Sequence, residues 1–149
     1  MRVVAHRGRA SRGPENTLAA VERAVPHVKT VEIDVRRCES GEVVAVHDAT
    51  LGRLTGVDRR VSDTPWTILR DPRVLGSGAR IPRLRDVVEA LPATVGLNVE
   101  RKEHGLAADV ETLVAGHPDV WASSFDAGAL AETSLPRAFL FDDDWDIER

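Results

Sequence analysis

The stretch VEIDVRRCESGEVVAVHD, residues 31–48, contains two short β-branched runs separated by a polar turn. The first run carries the carboxylates Glu32 and Asp34, and the second ends in His47 and Asp48. Side chains alternate between the two faces of a strand, so Glu32 and Asp34 share one face and the apolar side chains occupy the other. Carboxylates are costly to bury unless they are paired or bound to a cation, so this stretch predicts a candidate site as well as two strands.

Composition is typical of a globular protein. The chain has 149 residues, enough for a domain with a hydrophobic core, and 42% of them are hydrophobic and 30% charged. The formal net charge of −4 and the lack of a basic run argue against a nucleic-acid-binding protein. No apolar run approaches the roughly 20 residues that span a bilayer. We therefore expect a cytoplasmic protein with no stable membrane insertion.

Short β-branched runs alternate with amphipathic segments, which is typical of an α/β fold. The predicted strands are residues 2–6, 31–35, 43–47, 95–100, 120–125 and 137–141. The predicted helices are residues 18–25, 83–92, 106–116 and 126–133. Residues 52–82 have few apolar repeats, and we expect an irregular insertion there. Since no linker or internal repeat is found, the prediction is a single domain over residues 1–149.

The connection inside the quoted stretch is too short for a parallel crossover. Seven residues separate the two runs, whereas a crossover between parallel strands takes a dozen or more. The runs are therefore predicted to form an antiparallel hairpin around residues 40–41, with Glu39 paired to Glu42. That register sets Asp34 opposite His47, which would bring the acids and the histidine together.

Polar side chains collect at the predicted carboxyl ends of the strands. In LNVERK, residues 97–102, the two-residue period puts Asn98, Glu100 and Lys102 on one face. In α/β barrels and open sheets this end of the strands carries the active site. Together with the acidic face of residues 31–35, it supplies three carboxylates without a cysteine, which suit Mg²⁺ or Ca²⁺ better than zinc.

Two histidines and two cations extend this candidate site. His6 and His47 each close an apolar run, and imidazole titrates near neutral pH, so they are candidates for general acid and base. Arg7 and Lys102 would supply positive charge for phosphate oxygens. Taken singly, each carboxylate is better explained by an exposed edge or a salt bridge, and each histidine by a structural role. Taken together, they favour phosphoryl transfer.

Seven short motifs follow one another along the chain. They are HRG (6–8), PENT (14–17), VEIDV (31–35), HDATLGRLTG (47–56), IPRL (81–84), LNVERK (97–102) and SSFD (123–126). In this order and spacing the series resembles the glycerophosphodiester phosphodiesterase family from residue 3 to about residue 141. The resemblance implies a TIM-type (β/α) barrel of the kind shared with phosphatidylinositol-specific phospholipases C. It also implies metal-dependent hydrolysis of glycerophosphodiesters to glycerol 3-phosphate and an alcohol.

The resemblance also implies a role for individual residues. The implied metal ligands are Glu32, Asp34 and Glu100. The implied acid and base are His6 and His47, and the implied phosphate contacts are Arg7 and Lys102. Glu15 and Asn16 fall where the family places residues that support the site. Asp48 is a candidate to orient His47, as carboxylates do for catalytic or ligating imidazoles.

The chain departs from the family pattern near its C-terminal end. A closed (β/α)8 barrel takes roughly 200 residues or more, and family members continue through two further strands, one with a tryptophan near the site. This sequence ends in DDDWDIER, residues 142–149, after its sixth predicted strand. We therefore expect an incomplete barrel of about six strands. Three interpretations are open: a partner chain closes the barrel, the C-terminal segment swaps or caps the gap, or the chain is a truncated relic that folds poorly. The acidic ending favours a solvated end and so the first interpretation, in which a second copy completes the barrel in a homo-oligomer.

Two other functions fit the same residues. A lipid-directed phospholipase of the C or D type would need an exposed apolar rim, for which Trp66 and the loop around Leu75 are the candidates. A non-catalytic remnant of the barrel would hold metal and phosphate without turnover. The chemical route is also open, since either water or an adjacent substrate hydroxyl would attack phosphorus. The order in which the two histidines act depends on how the substrate is oriented.

Overall fold

The structure is a computed structural model that describes residues 3–8 and 13–141. Six strands lie in these residues: β1 Val4–Ala5, β2 Thr30–Arg37, β3 Val43–Ala45, β4 Gly96–Arg101, β5 Val120–Ser124 and β6 Arg137–Phe139. Six α-helices lie in the same ranges: α1 Leu18–Ala24, α2 Gly52–Thr55, α3 Trp66–Leu69, α4 Leu84–Ala90, α5 Ala107–Val114 and α6 Ala127–Ala131. Each predicted element has a counterpart whose ends differ by no more than two residues. Residue 2 and the acidic segment 142–149 lie outside the described residues.

Five strands pair in parallel in the order β1-β2-β4-β5-β6, and the sheet curls into a half-barrel. β3 runs antiparallel to β2, as the short connection predicted. Val35 pairs with Arg101 of β4 and also with Ala45 of β3, so β3 lies on the opposite edge of β2 from β4, beyond the short β1. The predicted fold class, an incomplete TIM-type barrel of about six strands, is confirmed.

The predicted register of the hairpin is wrong by one residue. Val35 pairs with Ala45, and the carbonyl of Asp34 accepts a hydrogen bond of 3.0 Å from Val46, so His47 is not opposite Asp34. The cause is a turn of three residues, 39–41, where the prediction assumed two. Gly41 donates its N–H to the Cys38 carbonyl and has a φ of 96°, the left-handed conformation that closes three-residue hairpins.

The two faces of the central strands have opposite character. On β2, Val31, Ile33 and Val35 are fully buried against the helices, together with Leu97 and Val99 of β4. Burying a side chain of this size stabilises the fold by about 1.5–3 kcal/mol. The alternate residues of the same strands carry the carboxylates, which therefore lie on the other face, inside the curl of the sheet.

Residues 52–82 are more ordered than the predicted irregular insertion. They contain α2, α3 and the 3₁₀ turns Val61–Asp63 and Val74–Gly76. These short elements surround a second apolar cluster, which we call the insertion core; it consists of Cys38, Val44, Val46, Leu51, Leu54, Val61, Leu69, Val74 and Ile81. The apolar residues of the segment follow no helical period, so this core was not visible in the sequence pattern.

β3 contributes to both cores. Val43 and Ala45 pack in the core of the half-barrel, whereas Val44 and the residue after the strand, Val46, pack in the insertion core. This alternation follows from the two-residue period of a strand. The insertion is therefore joined to the sheet through one face of β3. Among the helices that the structure describes, none has the length and apolar character needed to cross a membrane.

Candidate active site

Three carboxylates meet on the inner face of the sheet. Asp34 of β2 is level with Glu100 of β4, and Glu32 is level with Asn98, because the two strands pair in parallel register. Glu32, Asp34 and Glu100 are all buried, and each offers an oxygen within 4.8 Å of the others. The structure thus brings together the three residues that the sequence suggested as metal ligands.

Oε1 of Glu32, a buried oxygen of this carboxylate cluster, has no hydrogen-bond partner. Oδ1 of Asp34 is equally buried, and its charged contact is with Nζ of Lys102 at 3.0 Å. A buried ionised oxygen without a partner is expensive, so the cluster calls for a cation. Burial, followed by the nearby Asp34 carboxylate, raises the pKa of Glu32 to about 8. Carboxylate oxygens are the ligands that Mg²⁺ and Ca²⁺ prefer, and the donor set therefore fits either ion.

Arg7 lies beside this cluster and contacts it through backbone and side chain. Its N–H donates to Oε2 of Glu32 at 2.7 Å, and its Nε lies 3.1 Å from Oδ2 of Asp34. Its φ of 50° is left-handed, a conformation that costs a non-glycine residue on the order of 1–3 kcal/mol and is concentrated at functional sites. The strained turn directs both the amide and the guanidinium of Arg7 toward the carboxylates.

Lys102 brings a second positive charge. Its Nζ is 3.0 Å from Oδ1 of Asp34 and forms a shorter contact with Oε1 of Glu100. The same Nζ is 5.6 Å from the centre of the Phe125 ring, a distance typical of a cation–π contact. Arg7 and Lys102 thus bring two positive charges next to Asp34 and Glu100.

The PENT turn supports Asp34. Asn16 donates from Nδ2 to Oδ2 of Asp34 at 2.9 Å and accepts from the backbone N–H of Asp34 at 3.1 Å, so it binds both the carboxylate and the backbone of that residue. Asn16 also has a left-handed φ of 55°, which asparagine tolerates better than most residues. Thr17, the next residue, accepts from the amide of Ala20 and so caps α1. The start of α1 therefore anchors the turn that holds Asp34.

The two histidines have different surroundings. His6 lies with Nε2 3.9 Å from Oε2 of Glu32, and its side chain is 65% exposed. His47 holds Nδ1 2.7 Å from Oδ1 of Asp48, and its carbonyl accepts from Nε of Arg36 at 2.8 Å. His6 thus borders the carboxylate cluster directly, whereas His47 is connected to it through other side chains.

Those connecting side chains include a residue that the sequence analysis did not single out. Arg53 of α2 donates from Nε to Oδ2 of Asp48 at 2.6 Å. It also donates from both terminal nitrogens to the two oxygens of Glu15, at 2.6 and 2.9 Å. Glu15 in turn accepts from Arg7 at 3.1 Å. The hydrogen bonds from Arg53 lower the pKa of Glu15 and bring that of Asp48 to about 2.

The exposed aromatic side chain beside the candidate site is not one of those proposed for the apolar rim. Trp66 is half-buried and packs 5.2 Å from the guanidinium of Arg83, while Leu75 is exposed on the insertion. Phe125, which follows β5 and contacts Lys102, is 52% exposed. Phe125 belongs to the SSFD motif, and membership of this motif is the feature of the sequence that could have singled it out. An exposed aromatic side chain, Phe125, therefore lies beside the candidate phosphate contact Lys102.

Comparison with known proteins agrees with this geometry. The model of the Glycerophosphoryl diester phosphodiesterase family matches residues 6–141. The lysophospholipase D GDPD1 of Rattus norvegicus is 33% identical over 141 residues, which cover 83% of this chain and 45% of that protein. The chain thus spans about half the length of the curated relatives it matches.

Solved structures give the same result. The glycerophosphodiester phosphodiesterase of Thermotoga maritima has a TM-score of 0.86 and 32% identity, over 97% of this chain and 64% of that chain. A phosphodiesterase of Oleispira antarctica, solved in complex with the product sn-glycerol-3-phosphate, has a TM-score of 0.84 and 30% identity, over 93% and 65% of the two chains. The chain belongs to the glycerophosphoryl diester phosphodiesterase family.

Proposed function

We propose that this chain takes part in the metal-dependent hydrolysis of glycerophosphodiesters to glycerol 3-phosphate and an alcohol. The observation that carries the proposal is the buried cluster of Glu32, Asp34 and Glu100, in which Oε1 of Glu32 has no protein donor. The Oleispira antarctica relative was solved with sn-glycerol-3-phosphate, the product expected of such a reaction.

In this proposal the three carboxylates hold the cation, Mg²⁺ or Ca²⁺. When bound, the ion would neutralise negative charge on the phosphodiester. Arg7 and Lys102 lie beside Asp34. In this proposal they would donate to phosphate oxygens, Arg7 through its planar fork and Lys102 as a point charge.

Proton transfer falls to His6 and His47. Asp48 occupies Nδ1 of His47, which leaves Nε2 as the nitrogen that can face a substrate. His6 presents a mostly exposed ring next to Glu32. One histidine would take a proton from the attacking hydroxyl or water while the other gives a proton to the leaving alcohol oxygen.

A direct assay tests this function. The purified chain is incubated with glycerophosphocholine and either Mg²⁺ or Ca²⁺, and release of glycerol 3-phosphate is followed with a coupled dehydrogenase. We expect turnover that depends on the divalent ion and disappears with a chelator. Metal binding without hydrolysis of any of several diesters would instead favour the non-catalytic remnant. Trapping a cyclic phosphate product would show attack by the substrate hydroxyl.

A second candidate function is supported by Phe125. Its exposed ring lies against the candidate phosphate contact Lys102, where it would offer an apolar surface to a lipid substrate. The Rattus norvegicus relative is named a lysophospholipase D. If this chain acts on lysophospholipids, Phe125→Ala should lower hydrolysis of lysophosphatidylcholine more than that of glycerophosphocholine. Equal effects on the two substrates would exclude a lipid-specific role for this ring.

We also propose a cytoplasmic location and completion of the barrel by a second copy of the chain. β1 and β6 each pair with a single neighbouring strand among the described residues, and further strands would pair there if the barrel closes. A solution mass twice that of one chain, measured by light scattering, would support the homo-oligomer. A monomeric mass would count against it.

A further inference from the structure

Arg53 is a residue of the insertion that reaches the candidate active site. It lies in α2, the helix that begins the insertion, and its side chain is 47% exposed. All three of its guanidinium nitrogens donate to carboxylates: Nε to Asp48, and the two terminal nitrogens to Glu15. The planar fork of arginine suits this pattern, because a lysine ammonium cannot form two parallel bonds to one carboxylate and a third bond to another.

Each of these two carboxylates also contacts a residue of the proposed chemistry. The second oxygen of Asp48 lies 2.7 Å from Nδ1 of His47. Oε1 of Glu15, which Arg53 already contacts, also accepts from Arg7 at 3.1 Å. A continuous chain of charged contacts therefore runs from the proton carrier His47 to the phosphate contact Arg7, with Arg53 at its centre.

The two partners of Arg53 lie far apart in the sequence, so Arg53 joins two separate loops. Glu15 belongs to the turn before α1, and Asp48 belongs to the loop after β3, so they come from separate parts of the chain. Among the described residues, Arg53 is the side chain that forms hydrogen bonds to both. Both carboxylates stay ionised because hydrogen bonding to Arg53 is the largest cause of their lowered pKa values.

We propose that Arg53 is a positioning residue that fixes His47 and Arg7 relative to each other and to the carboxylate cluster. This inference rests on the proposed phosphodiesterase function for its effect on turnover. The guanidinium of Arg53 is half-exposed, and Glu15, which is buried, keeps its hydrogen bond from Arg7 when Arg53 is lost. The effect of losing Arg53 should therefore fall on the site more than on the fold.

Kinetics of Arg53→Gln and Arg53→Lys test the proposal. Partners that orient catalytic or ligating side chains typically contribute 10- to 100-fold to activity, and we expect Arg53→Gln to lower kcat/KM for glycerophosphocholine by roughly that factor, mainly through kcat. Arg53→Lys should recover part of the loss, because its ammonium can reach one carboxylate. Arg59→Gln, which removes another exposed arginine of the insertion, is the matched control and should keep kcat/KM unchanged.

The unfolding temperature of each variant separates positioning from folding. Arg53→Gln should unfold close to the temperature of the unsubstituted chain while it loses turnover. An Arg53→Gln variant with full kcat/KM would overturn the proposal. A loss of kcat/KM that tracks a large fall in unfolding temperature in both Arg53 variants would overturn it as well, because the role would then be structural.

A readout without turnover keeps the proposal testable if the proposed function fails. The Asp48 carboxyl can be titrated by NMR in the metal-free chain, where its pKa is about 2 and Arg53 and His47 are the groups that lower it. Arg53→Gln should move this pKa toward its ordinary value, while Arg59→Gln should leave it in place. An unchanged Asp48 pKa in Arg53→Gln would overturn the proposal, whatever the activity of the unsubstituted chain.

Discussion

The two faces of β2 carry different functions in one strand. Val31, Ile33 and Val35 are buried in the apolar core, while Glu32 and Asp34, the residues between them, are buried in a polar cluster. The apolar face stabilises the sheet and requires nothing from the loops. The acidic face is costly to bury, and Arg7, Asn16 and Lys102 from neighbouring segments hold it in place. The comparison suggests that the two faces can be altered independently.

Glu32→Gln gives the largest expected effect, and it falls on the acidic face alone. The variant removes one proposed metal ligand and should abolish release of glycerol 3-phosphate, as a chelator does in the unsubstituted chain. Glu22→Gln, which changes an exposed glutamate of α1, is the control and should retain activity. Full activity of Glu32→Gln would show that Glu32 is not needed as a metal ligand and that the acidic face of β2 does not carry the activity.

His6→Ala and His47→Ala test whether the acidic face depends on the loops at the ends of the strands. A positioned acid or base typically contributes 10²- to 10⁴-fold, and each variant should lower kcat by roughly that factor. Circular dichroism should show an unchanged fold. His27→Ala, an exposed histidine after α1, serves as the control. Activity within a few-fold of normal in either variant would exclude that histidine from proton transfer.

Ile33→Ala tests the apolar face. Truncating a fully buried isoleucine typically costs about 2–5 kcal/mol, and denaturant unfolding should show a loss of this size. The folded fraction should still hydrolyse the substrate at a near-normal rate, since no polar contact of the site is removed. Ile68→Ala, at an exposed position of α3, should change stability by less than about 0.5 kcal/mol. A selective loss of kcat in Ile33→Ala would show that the faces are coupled.

The smallest expected effect is a fall in the free energy of unfolding as the pH rises. The pKa of Glu32 is raised in the folded metal-free chain to about 8, so the folded state binds a proton that the unfolded state releases at lower pH. Stability from this group is complete below its ordinary pKa of 4.5 and is lost as the pH rises toward about 8, by on the order of a few kcal/mol. Urea unfolding of metal-free protein from pH 5 to pH 9 would measure this loss.

The same titration has an internal control. The stability of Glu32→Gln should fall less over this interval than that of the unsubstituted chain, because the raised carboxyl at position 32 is gone. Saturating Mg²⁺ or Ca²⁺ should also remove the loss, because a bound cation favours the ionised carboxylates. A metal-free chain whose stability does not fall between pH 5 and pH 9 would contradict the expected burial of Glu32.

Much of this architecture follows from strand periodicity. Alternation along residues 31–35 and 97–102 separates the apolar side chains of each strand from its carboxylates, and burial of both apolar faces then puts Glu32, Asp34 and Glu100 on the same side of the sheet. The hairpin register was missed because it depends on turn length, and a third turn residue ending at Gly41 shifts every later pair by one.

Side-chain connections over long loops were harder to predict. Arg53 reaches Glu15 across 38 residues of sequence, and no local period records such a contact. The insertion core was missed for a related reason, since its apolar residues come from turns and short helices rather than from one regular element. Local rules predicted the strands and the carboxylate cluster, whereas contacts between loops required the three-dimensional structure.

Because β3 packs in both apolar cores, the insertion cannot be removed without affecting the half-barrel. The alternate side chains of β3 are divided between two cores, so deleting residues 52–82 would leave Val44 and Val46 facing water and would also remove the partner of Glu15 and Asp48. A shortened chain of this kind would lose part of its interior and part of its candidate active site in one step. The insertion is therefore not a separate module, and any redesign of this protein should keep the residues of β3 that pack in both cores.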